Sequence, residues 1–143
     1  MITDNYIKMC EQAEEIQKLM PYILTSTHLK GNIFICTDKY SANFFYRMET
    51  LIDTGDEVGS SIYGATKNIW LPTQEQLQEM WWDKDSALHP KDMFRRFSLT
   101  LDINEDYFYL FLSPNELWLA VVMKEKYHKI WTGEKWVEIG SQP

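Results

Sequence analysis

The sequence predicts an α+β fold: a small antiparallel β meander packed against an N-terminal helix, middle helices and a long buried C-terminal helix. Three observations predict it. Ser113-Pro114-Asn115-Glu116 is a helix start leading into seven unbroken apolar residues, Leu117 to Met123. Two earlier stretches carry caps and apolar residues at helical spacing. Between about Gly31 and Leu71 the texture turns β-branched, aromatic and turn-rich.

At the N-terminus, Thr3 or Asp4 can cap a helix running through about Met20, ended by Pro21. Tyr6, Met9, Cys10, Ala13, Ile16, Gln17 and Met20 fall along one stripe, and Glu14 and Lys18 form a favourable i,i+4 pair. Asn32 to Thr37 reads as a strand and Asp38 to Ala42 as a turn. Asn43 to Ile52 reads as a second strand, with further strands near Ser61–Tyr63 and Asn68–Leu71. The short connections favour an antiparallel arrangement.

Pro72-Thr73-Gln74-Glu75-Gln76 announces the next helix. Thr73 caps it, Gln76 closes a capping box, and Leu77, Met80 and Trp81 supply the apolar face. After a polar connection, Pro90 starts a helix whose stripe is Met93, Phe94, Phe97 and Leu101. Tyr107 to Leu112 is too short a run for periodicity to separate a buried strand from an irregular aromatic segment.

The stretch from Ser113 to Trp131 is the centre of the expected core. Ser113 takes the N-cap, Pro114 the first helical position, and the Glu116 carboxylate closes a capping box. Leu119, Ala120, Met123, Tyr127, Ile130 and Trp131 share one face, so the first turns are buried all round and the last on one side only. Gly133 is placed to follow the helix end, and Trp136–Ile139 reads as a last short strand. No repeat, low-complexity tract or linker divides residues 1–143, so one domain is expected.

A net charge of −7 disfavours nucleic acid, whose phosphates are met by clustered Lys and Arg. A local basic face built from Arg47, Arg95, Arg96, Lys124, Lys126 and Lys129 would restore that reading. Cys10 and Cys36 alone, with no secretion leader at Met1–Asn5, imply reduced thiols and a cytoplasmic setting. No apolar run has the length of a membrane span, so no membrane partner is expected.

Motifs for chemistry are sparse. Leu51-Ile52-Asp53-Thr54-Gly55 resembles the catalytic loop of retroviral-type aspartic proteases, where two such loops share a proton between carboxylates. Asp56 and Glu57 stand where that family has a small residue, and no later apolar-apolar-Gly segment follows. The bland alternative is a turn. His28, His89 and His128 have no ligand-spaced partner, and neither cysteine has a nearby histidine. No phosphate loop or Gly-x-Ser-x-Gly occurs. Catalytic, metal and cofactor-binding residues are therefore expected to be none.

The aromatic content, 15%, is high. Trp81 and Trp82 are adjacent on a helix, so both cannot face one side, and one should lie nearer the surface. They are the candidate interaction residues, because an exposed Trp marks binding surfaces. The alternative is packing in an aromatic-rich core, as for Trp118, Trp131 and Trp136.

Three blocks, Asn5–Gln17, Ile69–Met80 and Glu116–Tyr127 with Trp131, resemble a group of small uncharacterised proteins encoded by phages and prophages of Gram-positive, Firmicutes-type bacteria. The resemblance covers roughly a third of the chain, at its helices, and weakens most between Pro21 and Lys67. It implies an accessory protein in a bacterial cytoplasm and brings no activity, cofactor or catalytic residue. The combined expectation is a non-enzymatic protein acting on an unidentified protein partner or on itself. The alternatives are a protease-like enzyme using Asp53 and a nucleic-acid-binding module.

Overall fold

A computed structural model describes residues 2–19, 33–37, 43–47, 67–82 and 89–140, with backbone alone for 33–37, 43–47, 67 and 68. The fold is α+β. Among the described residues, eleven elements follow in order: α1 (Asp4–Gln12), α2 (Glu14–Gln17), β1 (Ile33–Thr37), β2 (Asn43–Arg47), β3 (Lys67–Leu71), α3 (Gln74–Trp81), α4 (Pro90–Ile103), α5 (Glu105–Phe108), α6 (Pro114–Tyr127), β4 (Lys129–Trp131) and β5 (Trp136–Glu138). The chain divides into two compact units, Ile7–Thr73 and Met1–Tyr6 with Gln74–Pro143. The expected strand at Ser61–Tyr63, the helix stop at Pro21 and the turn at 38–42 lie outside the described residues.

Within Ile7–Thr73, β1 pairs antiparallel with both β2 and β3. Phe34 stands opposite Tyr46 on one side and Trp70 on the other. The order is β2-β1-β3, so the first strand is central, where a meander would put the second there. Composition explains the choice. β1 has no charged residue, whereas β2 ends in Arg47 and β3 begins with Lys67, and charged residues suit edge strands.

The N-terminal helix is not continuous to Met20. It breaks at Ala13, which has φ −88° and ψ 80° and separates α1 from α2. Gln17 supplies the reason. Its side-chain amide donates to the Cys10 carbonyl at 3.0 Å and to the Trp70 carbonyl at 2.9 Å, while its oxygen accepts from the Trp70 N–H at 2.9 Å. The break brings this amide to β3, where it satisfies both backbone groups of Trp70 as another strand would. One side chain thus closes part of a sheet edge and answers a carbonyl at the helix break. Met9, Cys10, Ala13 and Ile16 are fully buried.

In the other unit α6 is the core element. The Ser113 hydroxyl accepts from the Glu116 N–H at 3.2 Å, as an N-cap should, and Pro114 takes the first turn. Every residue from Trp118 to Met123 is buried, spanning more than a full turn. The Glu116 carboxylate departs from the capping-box expectation. Buried to 3% exposure, it accepts from the Thr3 hydroxyl at 2.8 Å and from the Asn5 side-chain amide. Thr3 in turn accepts from the Tyr6 N–H at 3.0 Å, capping the start of α1.

The helix ends at Tyr127 and does not reach Trp131. His128 adopts the left-handed conformation, φ 53°, and its N–H donates to the Met123 carbonyl. The chain reverses there into β4, so Ile130 and Trp131 belong to a hairpin with β5. The Ile139 N–H closes that hairpin onto the His128 carbonyl at 2.7 Å. Trp131 stands opposite Trp136 with ring centroids 5.1 Å apart. Gly133 serves the hairpin turn, at φ 101°, and His128 takes the helix-end role expected of it.

Two substitutions test these contacts. Replacing Gln17 by Ala, or by Glu, which cannot donate to the Trp70 carbonyl, should lower stability by about 1–3 kcal/mol in urea unfolding. The Trp70 amide should then lose protection against hydrogen exchange in both variants. Glu116→Ala should cost about 2–4 kcal/mol, because it removes the charged acceptor of two donors. Glu116→Gln should fall between it and the native chain; equal stability of all three would remove the role assigned to the carboxylate.

Candidate functional site

The largest aromatic assembly joins α3, α4 and α6. Phe97 and Trp118 stack with centroids 4.0 Å apart and planes 5° apart, and Trp81 meets both edge-on at 5.7 and 5.8 Å. These are the favourable stacked and T-shaped geometries. Arg96 places its guanidinium 5.6 Å from the Trp81 ring centre and its Nη2 3.4 Å from Glu125 Oε2. The Thr100 hydroxyl donates to the other Glu125 oxygen at 2.8 Å. The exposed ion pair itself adds little, but with the ring and the hydroxyl it ties α4 to α6.

Beside this cluster lies an opening of about 290 Å³, lined also by Gln78, Trp82, Met93 and Phe94. Of the two candidate tryptophans, Trp81 is 6% exposed and Trp82 is half-buried. Trp81 thus belongs to the packed cluster, and Trp82 faces the opening. The Trp81 indole N–H is buried and has no acceptor among the described residues. Indole N–H is a donor only, so nothing else on the ring can compensate.

A second, more polar opening of about 420 Å³ is lined by Asn5, Leu110, Phe111, Trp131, Thr132 and Gly133. The Trp131 indole N–H is the other buried donor without an acceptor among the described residues. The Trp131 backbone N–H donates to the Tyr107 phenolic oxygen at 2.8 Å. Burial pushes the Tyr107 phenol up to about 12, and the hydrogen bond from Trp131 offsets only part of that rise. Tyr107 to Phe111 form no strand. α5 covers Glu105 to Phe108, and a turn follows, with the Tyr107 ring tilted on Phe108 and edge-on to Phe111.

The α4 stripe needs one correction. Met93 is buried and Phe97 and Leu101 are half-buried, but Phe94 is 67% exposed. It sits at the edge of the stripe, on the rim of the first opening. Beyond it Leu99, Ile103, Tyr109, Leu110 and Leu112 are also exposed, Leu112 to 92%. Six of the nine exposed large apolar side chains among the described residues fall between Phe94 and Leu112. Of these six, the sequence reading placed only Phe94 on an apolar stripe; it made no assignment for Leu99 and Ile103 and left Tyr107 to Leu112 open between a buried strand and an irregular segment.

Among the described residues, no group of three or more His, Cys, Asp or Glu side chains gathers as a metal site. His89 caps α4 through Nδ1, which accepts from the Lys91 N–H at 3.1 Å, and His128 ends α6. His28, the Cys36 side chain, the Arg47 side chain and Asp53-Thr54-Gly55 lie outside the described residues. Lys124 and Lys126 are two positions apart on α6 and so point to different sides, while Arg96 is engaged with Glu125. No described helix is long and apolar enough to cross a membrane. No family model, curated protein or solved structure matches the chain.

Tyr107 gives a pH test with a definite sign. Its folded-state value lies above the ordinary 10, so the folded protein holds the phenolic proton more tightly than the unfolded chain does. That stability is complete below pH 10 and declines as pH rises from about 10 to 12. Tyr107→Phe should flatten this decline in pH-dependent unfolding. At neutral pH it should cost about 1–2 kcal/mol, the Trp131 N–H having lost its acceptor.

Proposed function

We propose that this protein is a phage or prophage accessory protein of the bacterial cytoplasm that acts by protein–protein binding, with no catalysis of its own. The observation that carries the binding reading is the concentration of exposed apolar side chains between Phe94 and Leu112. Single exposed leucines are ordinary in folded proteins, but large side chains recurring on one helix and the turn after it support an interaction surface. Burying each against a partner would be worth roughly 1.5–3 kcal/mol. The phage setting is supported by the three sequence blocks Asn5–Gln17, Ile69–Met80 and Glu116–Tyr127, and the non-enzymatic reading by the lack of a nucleophile–base motif in the sequence.

Affinity capture from an induced or infected host lysate tests the reading. The native chain should retain a partner that a Leu99→Glu, Ile103→Glu, Leu112→Glu variant loses. The variant should keep its stability within about 0.5 kcal/mol per site, since these side chains are already in water. Equal retention by both chains would separate binding from this surface. Affinity for DNA or RNA that falls steeply with salt would favour the nucleic-acid alternative instead.

A further inference from the structure

The outward face of α4 has a two-fold pattern of its own. Met93, Phe97 and Leu101 face the core, and the opposite side of the helix holds Lys91, Asp92, Arg95, Ser98, Leu99 and Asp102, all exposed. Arg95 and Asp102 are seven positions apart, so they fall within about 20° of one line along that face. Ser98 and Leu99 lie midway between them, and Phe94 and Ile103, 67% and 78% exposed, flank the face on opposite edges. Neither Arg95 nor Asp102 makes a side-chain hydrogen bond or ion pair among the described residues, whereas Arg96 is held by Glu125. Lys91 and Asp92 cancel in charge at the start of the helix, so the face runs from positive at Arg95 to negative at Asp102.

We propose that α4 pairs antiparallel with α4 of a second copy of the chain, about a two-fold axis passing between Ser98 and Leu99. Charge complementarity selects that partner. Such an axis places each residue opposite the one equally far from it in the other direction, so Arg95 of each copy meets Asp102 of the other. The same operation sets Leu99 beside Ser98, whose small side chain leaves room for it, and Phe94 beside Ile103 on each flank. All three exposed large apolar side chains of α4 then lie at one interface. Parallel pairing in register would instead set Arg95 against Arg95 and Asp102 against Asp102. A partner of a single charge sign would be repelled at one of the two positions. The helix offers a contact only roughly 20 Å long, and a net charge of −7 opposes association of two copies, so the dimer is a weak one that depends on this local pattern. The inference rests on the protein-binding reading and assigns the partner for the α4 part of that surface.

Charge reversal tests the pairing. Analytical ultracentrifugation from micromolar to millimolar concentration should show the native chain as a concentration-dependent dimer. Arg95→Glu alone sets acid against acid at both contacts, and Asp102→Arg alone sets base against base. Each should raise the dimer dissociation constant roughly tenfold or more. The chain carrying both substitutions should dimerise like the native one, and an equimolar mixture of the two single variants should form a dimer with one copy of each. Positions seven apart on a helix are not side-chain neighbours, so this recovery cannot arise within one chain. Circular dichroism checks that every variant folds, and Leu99→Ala, which changes no charge, should weaken the native dimer independently. A monomeric native chain, single variants that dimerise like the native one, or a folded double variant that stays monomeric would each overturn the proposal. If the native chain is monomeric yet still captures a partner through Leu99, Ile103 and Leu112, self-pairing fails and the binding reading stands.

Discussion

A buried carboxylate organises the unit that contains α6. Glu116 lies at the N-terminal end of a helix enclosed on all sides from Trp118 to Met123, where an unpaired charge would cost several kcal/mol. Three features make it tolerable there: the positive end of the helix dipole, the hydroxyl of Thr3 and the amide of Asn5. The requirement runs both ways. Thr3 and Asn5 are held at the start of α1 by the charge they solvate, and the charge stays buried because they are there. With the helix start pinned by this contact and by Ser113, the apolar turns that follow have a fixed environment. The aromatic cluster on Trp118 and the hairpin after His128 are then built outward from that helix.

The parts of the fold that local chemistry dictates were legible in the sequence. Ser113-Pro114 and Pro90 mark helix starts because a cap and a proline act within one turn, and both lie where the helices begin. The all-round burial of α6 follows from its unbroken apolar run. Helix ends and breaks were less legible, because distant groups decide them. Nothing local at Ala13 announces a break; it arises because the Gln17 amide satisfies Trp70, more than fifty residues away along the chain. His128 is a poor local candidate for a left-handed turn, yet it takes that role while Gly133 serves the following hairpin. The apolar residues Ile130 and Trp131 fit a helical face on paper, and the same pattern fits a short strand.

The candidate site was half legible for the same reason. Adjacency alone requires Trp81 and Trp82 to face differently, and that geometry places one in the cluster and one at the opening. Periodicity also groups Phe94 with Met93, Phe97 and Leu101, but a stripe gives no measure of how wide a neighbour covers it. α6 covers the side carrying Phe97 and stops short of Phe94. Leu99 and Ile103, one turn apart, form a second apolar row on α4 that no single-faced helix requires.

That second row bears on function more directly than any motif. A helix needs one apolar face to join a core, and α4 meets that need with Met93, Phe97 and Leu101. Phe94, Leu99 and Ile103 contribute little to the burial within the chain, and each adds apolar surface that promotes indiscriminate association. Specific association requires something to select among partners, and apolar area alone does not select.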